Sequence, residues 1–469
     1  MASRAQLWLN LGRTCNLSLG NIGMGLVVAI TGAAMLDLAQ LFGSSLASIS
    51  YLILTRGIGS LLGSFLGGKL HDTYNMQVVS IVATALTCIT VVMTPISGYL
   101  PVAHVMVFLV GLSAAAFVTG ANVWIIRMWP ENTTPALEAF HLAFGVGGLL
   151  GPFIARPFLS TVVTGNTTEL STAGFYFGSE EKQFDSPGLL SVPNDTAATN
   201  TTGETHIAYA YGIVGAFYFI LTLSMIALYL VDRADFKPEA EKTPDGSPAS
   251  VEKRASDVCF TRTVLAAMCI FIGFYVALES TTSQMVASFA VKSNLHFSKA
   301  SASRVEAMFF LCFSASRLAA ALVTVKLPPF WMLVISHTIL LPTAIALVIW
   351  GSSIDTVLWV CIALAGIGQG PVYAAVMSWT AGHIEFSNKM MAFAIVTESI
   401  GSMAAPTLVG EFMDEIPNIF LYVCLGAVGV CTVIFFCMYL YLKITPHLSK
   451  DKELLINDTD DKPHEGVSC

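Results

Sequence analysis

Glu279 is the residue whose surroundings point most directly to chemistry. It follows the apolar stretch Tyr275-Val276-Ala277-Leu278 and has Thr281, Thr282 and Gln284 within about a turn. A carboxylate there can accept hydrogen bonds from hydroxyl-bearing ligands or bind a hard cation through oxygen. It can equally serve as the structural partner of an arginine. Glu398 is a second acid inside an apolar run, and Arg56 and Arg317 interrupt two others, each followed closely by small residues. Guanidinium forks suit pairing between helices with carboxylates or backbone carbonyls, so both arginines read as structural or gating charges. The amides Asn122 and Gln369 can donate and accept at once. Trp379 and Trp124 offer flat faces, although packing is the more ordinary use of such a ring. His141 can shuttle a proton or hydrogen-bond a neighbour.

The elements that must position these groups are apolar and long. The 469 residues are 55% hydrophobic and 12% charged, with a mean hydropathy of +0.70, far from the balance of soluble domains. Spanning a bilayer as a helix takes roughly 20 apolar residues. Twelve such runs fall at about 16–39, 47–70, 78–97, 102–127, 139–162, 207–231, 262–288, 301–325, 331–350, 356–379, 390–413 and 418–442. An ionisable group inside one costs roughly 2.5–3.5 kcal/mol on insertion scales, so each needs a partner, a wet cavity or a role. The expected fold is an all-α membrane protein of twelve transmembrane helices.

Short loops carry their positive charge on one side under this count: Arg4, Arg13, Arg127, Arg262, Lys326, Lys389 and Lys443 among them. That side is expected to be the cytoplasm, with both termini on it. The loop between helices five and six bears three glycosylation patterns, at Asn166, Asn194 and Asn200, and falls on the other side. Asn132 and Asn457 head the same pattern on the cytoplasmic side and are expected to stay unmodified. The N-terminus shows no apolar core followed by a small-residue cleavage site, so the first run is expected to remain as a helix.

A charged, Pro-bearing stretch divides the helices six from six, giving a bundle over 1–231, a linker over 232–261, a second bundle over 262–442 and a tail over 443–469. An internal echo agrees with that division. Gly147 to Pro152 in helix five and Gly401 to Pro406 in helix eleven share one spacing. Repeat-built transporters hold substrate between such halves.

The net charge of −8 has no basic block behind it, so nucleic-acid binding lacks an electrostatic basis. Most of the ten cysteines lie in apolar runs, which argues against a disulfide framework or zinc site. The chain has no nucleophile elbow, phosphate loop or metal-ligand cluster, so an enzyme is not expected.

Several segments carry a family resemblance. Gly68-Lys69-Leu70-His71-Asp72 resembles the cytoplasmic loop motif of the major facilitator superfamily, with Thr73, Asn75, Met76 and Gln77 where arginines and glycine are usual. Met35-Leu36-Asp37-Leu38, Thr55-Arg56-Gly57-Ile58-Gly59, the run from Phe140-His141 to Pro152, Tyr275 to Glu279 and Ser316-Arg317-Leu318 are together similar to the sodium-dependent glucose transporter family, a fucose-permease-related branch of that superfamily. The resemblance implies two six-helix pseudo-repeats rocking about a central site, and transport of a hexose such as glucose, driven by sodium or passive. It also implies a cavity lined from helices four and ten.

Two departures bear on coupling. Helix four reads Phe117-Val118-Thr119-Gly120-Ala121-Asn122 where the family has an acid. In helix eleven the usual Gly-Glu is Gly401-Ser402, with Glu398 one turn earlier. Glu398 either replaces the missing acid or pairs with Arg317. The expected substrate contacts are Asn122, Glu279, Gln284, Gln369 and Trp379. Glu279, Glu398 and His141 are the ion-coupling candidates, and Arg56, Asp72 and Arg317 the gating or structural charges. Asp37, near the end of helix one, is expected to be solvated. Expected partners are the bilayer and a small sugar. No cofactor beyond a co-transported sodium ion is expected, and the chain should act as a monomer in the plasma membrane. The alternatives are a transporter-like sensor without net transport and a proton-coupled carrier of another small polar solute.

Overall fold

A computed structural model describes residues 4–129, 133–163, 201–233, 255–323, 327–384 and 388–445. The glycosylation patterns at Asn166, Asn194 and Asn200, most of the central linker and most of the tail lie outside these residues. In chain order the helices are α1 (Arg4–Leu41), α2 (Leu46–Thr73), α3 (Met76–Ile96), α4 (Leu100–Met128), α5 (Thr133–Ala155), α6 (Ile207–Val231), α7 (Ala255–Lys292), α8 (Lys299–Val323), α9 (Pro329–Trp350), α10 (Asp355–Gln369), α11 (Val372–Ala381), α12 (Asn388–Phe412) and α13 (Ile419–Ile444). A two-stranded pairing, β1 (Val162–Val163) with β2 (Thr201–Thr202), joins the ends of the long loop.

In hydrocarbon every backbone polar group must be satisfied within the segment, and the apolar runs answer as helices. Among the described residues, eleven segments are long and apolar enough to cross a membrane, α10 and α11 counting as one. The twelfth crossing is α8, made more polar by Lys299, Arg304, Glu306 and Arg317. Several turns between crossings are tight. Gly43 (φ 58°) and Gly98 (φ 61°) take the left-handed backbone that closes two of them. Ser45 and Asn75 cap the helices that follow, accepting from the amides of Ser48 and Gln77 at 3.2 and 2.9 Å.

Helices α1 and α7 begin earlier than expected, at Arg4 and Ala255, and two crossings stop or break short of expectation because of proline. The fifth was expected to run to 162 but ends at Ala155, followed by a 3-10 turn Arg156–Phe158. Pro157 brings no N–H and its ring clashes with the preceding turn. The tenth was expected unbroken over 356–379 and is cut at Gly370-Pro371 into α10 and α11.

The packing repeats. α1 lies on α5, α2 on α4 and α3 on α6; six helices later α7 lies on α12, α8 on α10 and α9 on α13. The Gly–Pro echo has a physical counterpart in this scheme. A side chain on Gly147 would run into the backbone of Ile22 on α1, and one on Gly401 into the backbone of Gly273 on α7. The same glycine lets equivalent helices approach closely in each half. The halves meet through α2 with α12, α5 with α8, and α1 with α7. Leu62, Phe65, Ile220, Val433 and Phe436 point outward and are exposed, as a bilayer-facing surface requires.

At the face opposite the first and last helix ends, polar contacts tie the halves together. Lys299 of α8 forms an ion pair with Asp37 of α1 at 3.0 Å. Asp37, expected to be solvated, is instead fully buried and also accepts from the amide of Ser160 at 2.7 Å. A full charge is held there because a lysine and a backbone donor both reach it. Asp414, in the turn after α12, accepts from the α2 amide of Leu46 at 3.3 Å and pairs with Lys292 at 2.8 Å.

Candidate functional site

Between the halves lies a cavity of about 240 Å³. Its walls come from α1, α2, α4, α5, α7, α8 and α12. One wall is aromatic, formed by Phe144, Phe309, Phe310 and Phe313. The polar wall is built largely by α7 and α12, which supply Glu279, Ser280, Ser283, Gln284, Glu398, Ser399 and Ser402. Arg56 is the charged contribution of the first six helices to this lining, and its guanidinium donates to the Gln284 side-chain oxygen at 2.6 Å. Met403 of α12 packs where a side chain on Gly57 would stand, so the glycine after Arg56 keeps α2 and α12 close.

The polar wall depends on the break in the tenth crossing. Pro371 has no N–H to offer the Ile367 carbonyl four residues back. That carbonyl accepts instead from the Ser316 hydroxyl at 2.6 Å. The neighbouring carbonyls of Gln369 and Gly370 accept from the Tyr275 hydroxyl at 2.8 Å and the Arg317 guanidinium at 3.2 Å. Arg317 is thereby held over the Phe313 ring, 4.3 Å from its centroid, with its other arm 3.6 Å from the Glu279 carboxylate. Tyr373, at the start of α11, donates to Glu398 at 3.0 Å. Glu398 lies within electrostatic reach of both Glu279 and Arg317. Two carboxylates, a guanidinium and two tyrosines thus form one network, three of whose members answer to a single kink.

The structure brings Glu279, Gln284, Glu398 and Arg56 onto one cavity and places Arg317 behind Glu279. Of the two roles open to Glu398, pairing with Arg317 goes to Glu279 instead. Asn122 lies on α4 outside this lining and donates to its own helix, to the Val118 carbonyl at 3.0 Å. Gln369 is buried, donates to the Thr282 hydroxyl at 3.4 Å and lines a separate small void among α7, α9, α10 and α13. Trp379 packs in an aromatic cluster with Phe330, His383 and Phe435. The ring of His141 stands edge-on to Phe140 and within electrostatic reach of Arg317. Asp72 is exposed at the end of α2.

Sequence reasoning passed over Ser280, Ser283 and Ser402 as cavity groups and Tyr373 as the hydroxyl that holds Glu398. Gly370-Pro371 inside an apolar run was the signal for the last, since a proline there frees carbonyls that nearby donors must satisfy.

A family model described as Major Facilitator Superfamily matches residues 197–406 and 269–457. The chain belongs to the Major Facilitator Superfamily. It is a multi-pass membrane transporter of that family and not an enzyme. It is 27% identical over 435 residues to a human protein named sodium-dependent glucose transporter 1, covering 92% of this chain and 80% of that one. It is 26% identical over 420 residues to the mouse sodium-dependent glucose transporter 1A, covering 89% and 94%. Among solved structures, a bacterial homologue of the human lysosomal transporter Spinster superposes with a TM-score of 0.64 at 12% identity, over 96% of this chain and 99% of that one. The fold expected from the residues is therefore the fold observed.

Proposed function

We propose that this transporter moves a hexose or a closely similar polyhydroxylated solute by alternating access, with a cation as co-substrate. The observation that carries the reading is the division of the central cavity into an aromatic wall and a wall of carboxylate, amide and hydroxyl oxygens. A sugar ring has the matching pair of surfaces, an apolar face of C–H groups and an edge of hydroxyls that donate well to carboxylates. At about 240 Å³ the cavity lies below the roughly 300–1,000 Å³ of ordinary ligand pockets, which suits a monosaccharide-sized solute. The names of its human and mouse relatives support the same substrate class.

In this reading Arg56, Gln284 and the α7 serines orient the hydroxyls, and Glu279 accepts from them. Glu398, with the Ser399 and Ser402 hydroxyls beside it on the cavity, offers the oxygen donors that a sodium ion prefers. The face carrying the long loop between α5 and α6 is outside and the chain termini are cytoplasmic. The Asp37–Lys299 and Asp414 contacts then hold the outer end shut while solute leaves inward.

Flux of radiolabelled glucose into proteoliposomes, with and without an inward sodium gradient, tests this. Saturable uptake that the gradient accelerates is expected, and absence of saturable hexose flux under both conditions would overturn the substrate. A second reading, a sensor without net transport, draws on the absence of an acid in the Thr119-Gly120-Ala121-Asn122 stretch of α4. Hexose that thermally stabilises the protein but never crosses the bilayer would favour it.

A further inference from the structure

Glu306 is a fully buried acid with no hydrogen-bond partner, and nothing above uses it. It lies on α8, is 0% exposed, and neither carboxyl oxygen has a hydrogen-bond partner. Its surroundings are Val305, Phe309 and Phe310 along its own helix, all buried, and the backbone of α1 at Gly32. A Cβ built on Gly32 would come within 2.8 Å of a Glu306 carboxyl oxygen and 3.1 Å of both the Gln284 Cα and the Ser283 carbonyl. Glycine at position 32 therefore lets α1 lie directly across the carboxyl and against α7. α1 belongs to one half and α7 and α8 to the other, so the carboxyl is covered by the contact that must open if the halves rock apart.

The charged groups on the elements packed around α8 are engaged elsewhere or turned outward. On α1, Asp37 pairs with Lys299 of α8. On α7, Glu279 pairs with Arg317 of α8 and Lys292 with Asp414. Arg304 of α8 bonds Ser301. On α5, His141 lies near Arg317. Arg156 in the turn after α5 and Asp355 on α10 are exposed. Arg56 of α2 is the nearest cation by connection, because it bonds the same Gln284 whose backbone abuts Gly32. An ionised carboxylate with no partner in such a place is strongly disfavoured, whereas the neutral acid is tolerated.

We propose that Glu306 is a proton-operated latch between the halves. With α1 seated on α7 and α8 the group is a carboxylic acid. When α1 lifts away and water enters, the O–H bond breaks, the proton passes to solvent and the carboxylate is left hydrated. Reseating α1 requires a proton to be taken back from solvent. Proton binding therefore favours the state with this face closed, and raising the pH favours opening. The connection through Gln284 lets solute at Arg56 bias the same movement. The inference depends on two moving halves and not on the solute being a sugar.

The test reads conformation rather than uptake. Spin labels on Tyr99→Cys and Ser353→Cys, exposed positions on the opposite-face loops of the two halves, report the separation by double electron–electron resonance, in a background with the accessible native cysteines replaced. With native Glu306 the long-distance population should grow from mildly acidic to mildly alkaline pH. With Glu306→Gln or Glu306→Leu, either of which stays neutral, the short distance should persist at every pH. A pH response that survives these substitutions, or its absence with Glu306 intact, overturns the latch. Infrared spectroscopy of the otherwise native protein at neutral pH gives a second reading that needs no variant to fold. The carbonyl stretch of a protonated carboxyl in a water-excluded site is expected, and its absence would also overturn the proposal. Failure of glucose flux would leave both of these outcomes untouched.

Discussion

In the first six helices α4 crosses without interruption, and the polar side chains of its Thr119–Asn122 stretch turn back on their own helix: Thr119 donates to Ala115 and Asn122 to Val118. Its counterpart six helices later is cut at Gly370-Pro371, and the carbonyls so released recruit Ser316, Tyr275 and Arg317 from two neighbouring helices. One packing scheme thus carries different chemistry in its two copies. The first half supplies Arg56 and part of the aromatic wall, while the second holds both cavity carboxylates and the groups that orient them. Polar function in a membrane bundle can be concentrated by a local backbone defect, because hydrocarbon leaves a freed carbonyl no partner but a nearby donor.

If that asymmetry governs transport, the largest loss should follow Glu279→Gln. It removes the charge in the Arg317 pair and the strongest acceptor in the cavity. A hydrogen bond to a charged group contributes about 1.5–3 kcal/mol, so uptake should fall by roughly 10- to 100-fold. Near-native uptake in proteoliposomes would break the comparison at its centre. Glu398→Gln should act more narrowly, abolishing the response to a sodium gradient while uptake without sodium falls only a few-fold. A sodium dependence identical to the parent's would remove Glu398 from coupling.

Gly147→Ala and Gly401→Ala probe what the halves share. Each Cβ would meet backbone of an equivalent helix, and overpacking of this kind costs about 1–3 kcal/mol. Thermal unfolding in detergent should therefore drop by similar amounts for the two. A large difference would show that the repeat is one of sequence and not of packing strain. The smallest effect is expected for Asn122→Ala, whose amide serves its own helix. A change in uptake of less than about twofold is anticipated, well under one tenfold step of 1.4 kcal/mol. A larger loss would return α4 to the site.

Much of the architecture was legible because its cause is local. Twelve runs of apolar residues can satisfy their backbone in hydrocarbon only as helices, so their number and approximate bounds follow from composition and length. The Gly–Pro echo at 147–152 and 401–406 likewise marked equivalent crossings. Single ionisable residues in such runs are costly, which is why Glu279, Glu398, Arg56 and Arg317 stood out as candidates. Partnership was a different matter. Whether Arg317 meets Glu279 or Glu398, whether Asp37 is wet or paired with Lys299, and whether Gln369 faces a cavity or Thr282 each depend on a helix far away in the chain. Glu306 shows the limit most clearly. Its cost was written in the run Val305-Glu306-Ala307, yet its burial follows from α1 crossing it at Gly32, a contact between residues more than 270 positions apart. Apolar run lengths and motifs were enough for a twelve-crossing membrane transporter with a few expensive charges inside it. Which charges share a cavity, which hold a broken helix in place and which lies sealed between the halves came from the folded arrangement, because electrostatic pairing acts over a few ångströms and the chain order does not encode which helices come that close.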